Sequence, residues 1–423
     1  MTEAGDKVMR VDGTAPADAA VREAVERPER RGRLGVLDWL AIGLLAAGLV
    51  SWATGLLPRS DAQDILARIL PLLVFLGTVI VLAELAAQAE FFDVLAARIA
   101  IVARGSYPVL FALSVAFAAV TTVFLNLDTT AVLLTPVMLA TAVRAGIATM
   151  PLAMTTVWLA NIASLLLPVS NLTNLLAADR VGLPVGDFAA RMLLPQAGAL
   201  AATAVCLWVF FWRRGVRGDD RYTPPPVFRP RDPVLFRVAA AGCAVFVVGV
   251  LVGAPLAAVS CACAALLVAG YAVRDRRRLR WTLLPWRLLV FVSGLFLVVQ
   301  TISRHGLSTV LDDVIGTDPG AEGVWRAAAA GLGLSNLVNN LPAYVAGEAV
   351  VPVANHDQLL GLLIGTNVGP VVLPWASLAT LLWLERCRAA SVRVPWPTFI
   401  LTGAAAAATA LLAAVGGLLL SRH

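Results

Sequence analysis

Charged residues are scarce in this chain. They make up 14% of its 423 residues, and Lys7 is the only lysine. Hydrophobic residues make up 59%, against roughly 45–50% in soluble domains. This composition excludes a water-soluble globular protein. The net charge of +6 comes from arginine, and we interpret it as arginine-rich cytoplasmic loops rather than as a surface for nucleic acid.

Histidine and cysteine are also rare. The chain has three histidines and five cysteines, and neither an HExxH pair nor a GxSxG elbow occurs. The cysteines lie in or beside apolar segments without metal-ligand spacing or a disulfide framework. We therefore expect no catalytic residue, no metal and no cofactor, and a membrane-embedded enzyme is only a minor alternative.

Long apolar stretches are what the sequence does contain. They recur from Val36 to the C-terminus, and each must be helical in lipid, where unpaired backbone groups find no water. The predicted fold is an all-α integral membrane protein with about 10 transmembrane helices. We expect a multi-pass protein of the plasma membrane with a cytoplasmic N-terminus. Residues 36–57 should remain as an anchor, because no small-residue cleavage site follows them.

Loop charges predict the topology. Arginine-rich linkers at residues 213–237 and 274–287 should be cytoplasmic, while the acidic segment 304–322 should be external. The expected organisation is a charged tail at 1–35, an N-terminal membrane half at 36–212, an Arg/Pro linker at 213–233, two connecting helices with a cytoplasmic loop at 234–287, and a C-terminal membrane half at 288–423.

An internal repeat relates the two halves. Residues 72–95 align without gaps on residues 288–311, and residues 161–174 align on 367–380. Between these blocks, the segment around Asn126 corresponds to the segment around Asn340. The first block ends near basic Arg98, whereas its mate begins at Arg287. The halves are therefore predicted to be inverted in the membrane, with a substrate site near the midplane.

Polar residues and helix breakers interrupt two apolar segments in each half. We expect two re-entrant hairpins and two broken helices, whose termini attract anionic or electron-rich groups at free N–H groups and cations at free carbonyls. The alternative is that residues 107–143 cross the membrane twice, which would leave Asn126 and Asp128 in a wet turn. The predicted substrate-binding residues are Asn126, Thr129, Asn161, Ser164, Ser170, Asn171, Asn336, Asn339, Asn340, Thr366, Asn367 and Ser377.

Two carboxylates are candidates for ion coupling. Asp128 lies in an interrupted apolar segment, where a charge costs about 2.5–3.5 kcal/mol and is retained for function or pairing. Glu84 is the second candidate, although it could instead pair with Arg98. Glu348 and His305 are expected to be external surface groups.

Six segments carry a family resemblance: VLAELAAQAEFFDVLA, DTTAVLLTP, SLLLPVSNLTN, WRLLVFVSGLFLVV, NLVNNLPAYVAGE and GPVVLPWASLATLLWL. The chain resembles the arsenite-efflux permeases of the ArsB family, within the ion-transporter superfamily, from about Leu70 to Ala405. The resemblance implies a mobile, elevator-like transport domain that exports neutral arsenite or antimonite in exchange for protons. The resemblance also implies that a separate ATPase subunit assists in some cases, and this chain has no Walker-type loop of its own. It leaves open a homodimer.

Three positions depart from the family pattern. The family usually has Asp where this chain has Asn161 and Asn367, and a basic residue where Val371 stands. A neutral, amide-rich site could equally accept a small anion, so the alternative function is sodium- or proton-coupled transport of a dicarboxylate, citrate or an inorganic oxyanion. An uncoupled channel is the remaining alternative. The expected partners are therefore arsenite, antimonite or a small anion, coupling H⁺ or Na⁺, and the lipid bilayer.

Overall fold

The computed structural model describes residues 36–213 and 221–421, and every regular element within those ranges is helical. The predicted tail at 1–35 lies outside the described residues. Eight of the described helices are long and apolar enough to cross a membrane. The first helix contributes a shorter apolar stretch, Asp38–Ala53. The chain is therefore an all-helical, multi-pass membrane protein, as predicted.

The first repeat, with its leading helix, consists of α1 (Val36–Ala53), α2 (Arg59–Gln88), α3 (Phe91–Val102), α4 (Tyr107–Leu125), α5 (Leu127–Ala145), α6 (Thr149–Ile162), α7 (Leu172–Val181) and α8 (Val185–Trp212). Two connecting helices follow, α9 (Pro233–Leu251) and α10 (Leu256–Arg274). The second repeat consists of α11 (Trp286–Ile302), α12 (Ser308–Ile315), α13 (Ala321–Val338), α14 (Asn340–Glu348), α15 (His356–Val368), α16 (Leu378–Ala389) and α17 (Trp396–Leu420).

Each repeat contains one hairpin whose two helices meet at an asparagine with positive φ. The φ angles are 84° at Asn126 and 97° at Asn339, and with ψ angles of 151° and 152° both residues lie in a region that residues other than glycine rarely adopt. Their N–H groups donate to the carbonyls of Thr122 and Ser335. The structural mate of Asn126 is therefore Asn339, and the predicted match to Asn340 is wrong by one residue because two asparagines stand side by side.

Each repeat also contains one broken helix. The chain passes from α6 to α7 through a short 3₁₀ segment, Pro168–Ser170, and from α15 to α16 through Gly369–Val371. The second half-helices begin with side-chain caps at equivalent positions: Asn171 Oδ1 accepts from the N–H of Thr173, and Ser377 Oγ accepts from the N–H of Thr380. Such caps satisfy free N–H groups at a helix start. The interruptions are thus specified by local sequence in both repeats.

The repeat mates α2 and α11 run antiparallel. Arg304, just beyond α11, pairs with Asp61 at the start of α2, at 2.5 Å. At the opposite end, the Arg278 guanidinium, before α11 begins, donates to the carbonyl of Gln88 at the end of α2, at 2.8 Å. Equivalent helices that run in opposite directions are what an inverted repeat requires.

Both arginine-rich linkers lie at the face where α2 ends. In the first linker Arg231 pairs with Glu90, which follows α2, at 3.3 Å. Arg274 at the start of the second pairs with Asp232, at 2.8 Å, and this hydrogen bond lowers the pKa of the Asp232 carboxyl. The loop charges therefore gather at one face, which the positive-inside rule predicts to be cytoplasmic.

Glycine allows the helices of the second repeat to pack closely. A Cβ on Gly331 in α13 would lie 2.7 Å from the carbonyl oxygen of Leu362 in α15, and a Cβ on Gly365 would overlap the carbonyl oxygen of Ala328. Small residues at helix contacts give membrane helices the close approach that their association requires. The hairpin helix α13 is thereby held against the broken helix.

Candidate substrate and coupling site

A pocket lies where the hairpins and broken helices of both repeats meet. It is narrow in this conformation, with a cavity volume of about 30 Å³. One wall comes from α2 at Leu76, near the middle of that helix, so the hairpin ends lie at mid-length of a spanning helix rather than at its end. Its lining residues are Leu76, Leu127, Asp128, Asn171, Leu172, Leu288, Phe291, Asn339, Asn340, Leu341 and Leu378.

Four helix N-termini converge on this pocket. The lining includes the first residues of α5, α7, α14 and α16, which are Leu127, Leu172, Asn340 and Leu378. The first N–H groups of a helix have no partner within the helix and carry a partial positive charge. Each repeat supplies two of these ends, so the pocket lies on the pseudo-symmetry axis. One N–H at each end is already bonded, at Asp128, Thr173, Thr380 and Asn340, and the remaining first-turn N–H groups are donors for oxygen atoms of a ligand.

Among the described residues that line the pocket, Asp128 is the one with an acidic side chain. Its backbone N–H donates to Asn126 Oδ1 at 2.8 Å, which fixes it in the first turn of α5. Its carboxylate is half-buried and has no hydrogen bond or ion pair with the described part of the chain. Beside it, the buried hydroxyl of Thr129 also lacks a partner there. Asp128 therefore keeps its hydrogen-bonding capacity for a ligand, a proton or water.

Asn367 is saturated by contacts with the other repeat. Its Oδ1 accepts from Asn171 Nδ2 at 3.0 Å and from Thr173 Oγ1 at 2.8 Å. Its Nδ2 donates to Asn174 Oδ1 at 2.7 Å. Because a buried amide with this many partners has little capacity left, Asn367 joins the broken helices to each other.

Asn161, the repeat mate of Asn367, makes the equivalent crossing with one hydrogen bond, where Asn367 makes three. Its Nδ2 donates to Thr380 Oγ1 at 3.2 Å, and Thr380 occupies the position equivalent to Asn174. The same Nδ2 also donates to the carbonyl of Val157. Its Oδ1 is buried and has no partner among the described residues. We call these side-chain contacts between the broken helices of the two repeats the interlock. Both repeats follow the same pattern, but Oδ1 of Asn161 is an acceptor that no described residue uses.

Several predicted binding residues use their side chains to shape the breaks. Ser164 donates to the carbonyl of Asn161, Ser170 to that of Val123, and Thr366 to that of Leu363. Asn336 donates to two carbonyls and accepts from the N–H of Leu373, while Asn339 Nδ2 donates to the carbonyl of Trp375. These bonds satisfy backbone groups that the breaks expose.

The structure therefore sorts the predicted residues into two groups. Those that line the pocket are Asp128, Asn171, Asn339 and Asn340. Those that lie around it are Asn126, Thr129, Asn161, Ser164, Ser170, Asn336, Thr366, Asn367 and Ser377. Sequence reasoning did not select three side chains of the interlock, Thr173, Asn174 and Thr380, although all three lie in the polar breaks.

Glu84 and His305 lie outside the pocket. Glu84 is about two turns, or about 12 Å, beyond Leu76 along α2, and its Oε1 accepts from Gln88 Nε2 at 3.4 Å. No ion pair with Arg98 occurs in the described part of the chain. His305 is exposed, and its Nδ1 lies 2.7 Å from the carbonyl oxygen of Thr301.

The prediction that Glu348 is an external surface group is wrong. Glu348 is buried, with 4% of its surface exposed, and its carboxylate pairs with Arg68 of α2 at 2.9 Å. The end of α14 lies beside the end of α7, and the Arg68 side chain reaches the Glu348 carboxylate from α2. Their separation in sequence, 280 residues, explains why no local pattern revealed the pair.

Inverted repeats, paired helix breaks and a shared central pocket are the architecture of a membrane transporter. The chain belongs to the citrate transporter family (CitMHS), which it matches over residues 33–380.

Curated relatives include the arsenical pump membrane proteins of Escherichia coli and Yersinia enterocolitica. The first is 30% identical over 350 residues, covering 77% of this chain and 80% of the relative. The second is 31% identical over 352 residues, with the same coverage of each. These relatives confirm the family resemblance inferred from the sequence.

A solved structure, the YdaH transporter of Alcanivorax borkumensis, has a similar fold. Its TM-score is 0.50 at 14% identity, covering 91% of this chain and 97% of that one. At this identity the likeness concerns the fold alone.

Proposed function

We propose that this protein is a proton-coupled efflux permease for arsenite and antimonite in the plasma membrane. The observation that carries the proposal is the chemistry of the pocket. Its described lining residues include a free carboxylate and three amides but no basic side chain. An anion would meet the charge of Asp128 without a compensating cation. A neutral trihydroxide can instead donate to carboxylate and amide oxygens and accept from helix N–H groups.

Coupling follows if substrate and proton compete for Asp128. An ionised Asp128 accepts hydrogen bonds from the hydroxyl groups of arsenous acid, whereas a protonated Asp128 loses most of that capacity. Protonation from outside therefore favours release, and loss of the proton to the cytoplasm restores binding. Since binding linkage is reciprocal, bound substrate equally disfavours the proton. Glu84 is a proposed second carboxylate on the proton path, beyond the pocket.

The proposed transport cycle moves the pocket as a unit. Hairpins and broken helices would form the moving body within membrane halves at 36–212 and 288–423, joined through the linker at 213–233 and the connecting helices at 234–287. The interlock of Asn161 and Asn367 with the opposite half supports one body rather than two. The cytoplasmic N-terminus, an ATPase subunit and a homodimer remain predictions.

A second candidate is the transport of a small anion, such as a dicarboxylate or citrate, with sodium or protons. Two observations favour it: the convergence of four helix N-termini on the pocket, and the description of the family as citrate transporters. Helix N-termini are favourable sites for carboxylates and oxyanions. For this candidate Asp128 would have to be protonated or bound to a cation.

Purified protein in proteoliposomes separates the two functions. Arsenite or citrate is placed on one side, and a pH gradient or a sodium gradient is imposed in turn. We expect arsenite to move against its own gradient when the pH gradient is imposed, with no citrate movement. Citrate accumulation that needs sodium, without arsenite flux, would reject the arsenite proposal in favour of the second candidate.

A further inference from the structure

A partly buried ionic cluster joins α2 to α7 of the first repeat and to α14 of the second, at the end of the molecule where α2 begins. Arg68 on α2 donates to Glu348 at the end of α14, at 2.9 Å, and to Asp179 near the end of α7, at 3.0 Å. The Arg180 guanidinium adds a donation to the carbonyl of Glu348, at 3.5 Å. Glu348 is the buried member, whereas the Asp179 side chain is 57% exposed. The strong contact is therefore Arg68 with Glu348.

Both helices that reach this cluster, α7 and α14, also line the pocket. Helix α14 begins at pocket residue Asn340 and ends at Glu348. Helix α7 begins at pocket residue Leu172 and carries Asp179 in its last turn. A helix of nine or ten residues spans about 14–15 Å. The ionic cluster and the pocket therefore lie at opposite ends of the same two short helices. If these helices separate from α2 at the cluster, their ends at the pocket move as well.

The cluster has no equivalent at the opposite face. When the repeat alignments are extended, Leu284 takes the place of Arg68 and Thr135 takes the place of Glu348. The dipeptide Asp179–Arg180 keeps its charges in Glu385 and Arg386, but neither makes an ion pair within the described residues. Both faces share the backbone architecture, and the ion pair found between α2 and a hairpin among residues 36–213 and 221–421 lies at the face where α2 begins.

The cluster is also incompletely satisfied. The Tyr344 hydroxyl, one turn before Glu348, is fully buried without a partner in the described part of the chain, and Arg180 Nε is buried without one as well. These open donors suit a contact that rearranges and takes up water when it opens.

We propose that Arg68 and Glu348 are positioning residues of the transport cycle, which hold the pocket closed at the face where α2 begins. The loop charges predict that this face is external. Separation of the pair then opens the release path at this face, and the intact pair favours the state that is closed there. This inference rests on the alternating access of the proposed function but not on its substrate.

The test measures from which side the pocket can be reached. A single cysteine replaces the pocket residue Leu341 in a full-length chain without its five native cysteines. The membrane-impermeant thiol reagent MTSET is then added to each side of oriented vesicles without arsenite. We expect Glu348→Gln to raise the labelling rate from the α2-start face at least about tenfold and not from the opposite face. A purely structural role would not produce this one-sided change.

Three further variants keep the test decisive. The double variant Arg68→Gln/Glu348→Gln leaves no unpaired buried charge, so it covers the case in which Glu348→Gln does not fold, and it should label as fast. The charge swap Arg68→Glu/Glu348→Arg should return the rate toward that of the parent. The control Asp179→Asn removes only an exposed partner and should stay within about twofold.

Two results would overturn the proposal: unchanged labelling in both glutamine variants, or an equal rise from both faces, which indicates general loosening. Because the labelling is done without substrate, either result would reject this proposal without deciding whether the protein transports arsenite. Failure of arsenite transport likewise leaves the labelling result standing.

Discussion

Replacement of Asp128 by asparagine should abolish coupling and leave the fold intact. A carboxylate at this depth costs about 2.5–3.5 kcal/mol, and its place in the first turn of α5 returns about 0.3–1 kcal/mol through the helix dipole. Asparagine removes that net penalty of about 2 kcal/mol. It also keeps the size of the side chain, and the bond from Asn126 reaches the backbone N–H rather than the carboxylate. Thermal stability should therefore be equal or higher.

The effect on transport is large by comparison. A gradient of two pH units supplies about 2.7 kcal/mol per proton, enough for about 100-fold accumulation of a substrate exchanged one for one. With Asp128→Asn the accumulation ratio should fall to about one, because no group in the pocket takes up the proton. The assay is arsenite accumulation in proteoliposomes under an imposed pH gradient.

Glu84→Gln tests the second proposed coupling carboxylate against Asp128. It removes a carboxylate from the same region of the membrane domain but outside the pocket, and it should retain accumulation within about threefold of the parent if its role is auxiliary. Accumulation that persists unchanged in Asp128→Asn would refute the coupling mechanism. Loss of accumulation in Glu84→Gln but not in Asp128→Asn would indicate that Glu84 is the coupling residue.

Three further predictions concern packing and the interlock, each measured as thermal stability of the purified protein. Asn367→Ala leaves buried polar groups of the other repeat without partners and should cost about 1–3 kcal/mol; an unchanged melting temperature would contradict the interlock. Gly365→Ala forces a methyl group against the Ala328 carbonyl and should cost about 1–3 kcal/mol, whereas Gly333→Ala, which meets no neighbour within 4 Å, should cost nothing. Trp383→Phe removes the bond from Nε1 to the carbonyl of Ala153 and should cost about 0.5–1.5 kcal/mol, so a larger melting loss would point to packing instead.

The helices and the inverted repeat were predictable because lipid leaves the backbone few choices. Apolar length sets the spanning helices, and paired polar interruptions mark where they break. The exact hairpin end was less predictable. Asn339 and Asn340 are chemically identical, and only the positive φ at Asn339 shows which one ends the helix.

The roles of the polar residues depend on contacts that sequence spacing does not show. Asn367 resembles a binding residue by composition, but side chains nearly 200 positions away use its hydrogen bonds. Glu348 resembles a surface residue because Arg68 is distant in sequence. Asp128 could be identified directly, since a carboxylate in an apolar segment is conspicuous whatever its neighbours are.

Anomalous diffraction from crystals soaked in antimonite would test the pocket most directly. A single strong antimony peak within contact distance of Asp128, Asn171 and Asn340, weakened in Asp128→Asn crystals, is the predicted result. A peak elsewhere in the protein, or an empty pocket at saturating antimonite, would contradict the assignment of this pocket as the transport site.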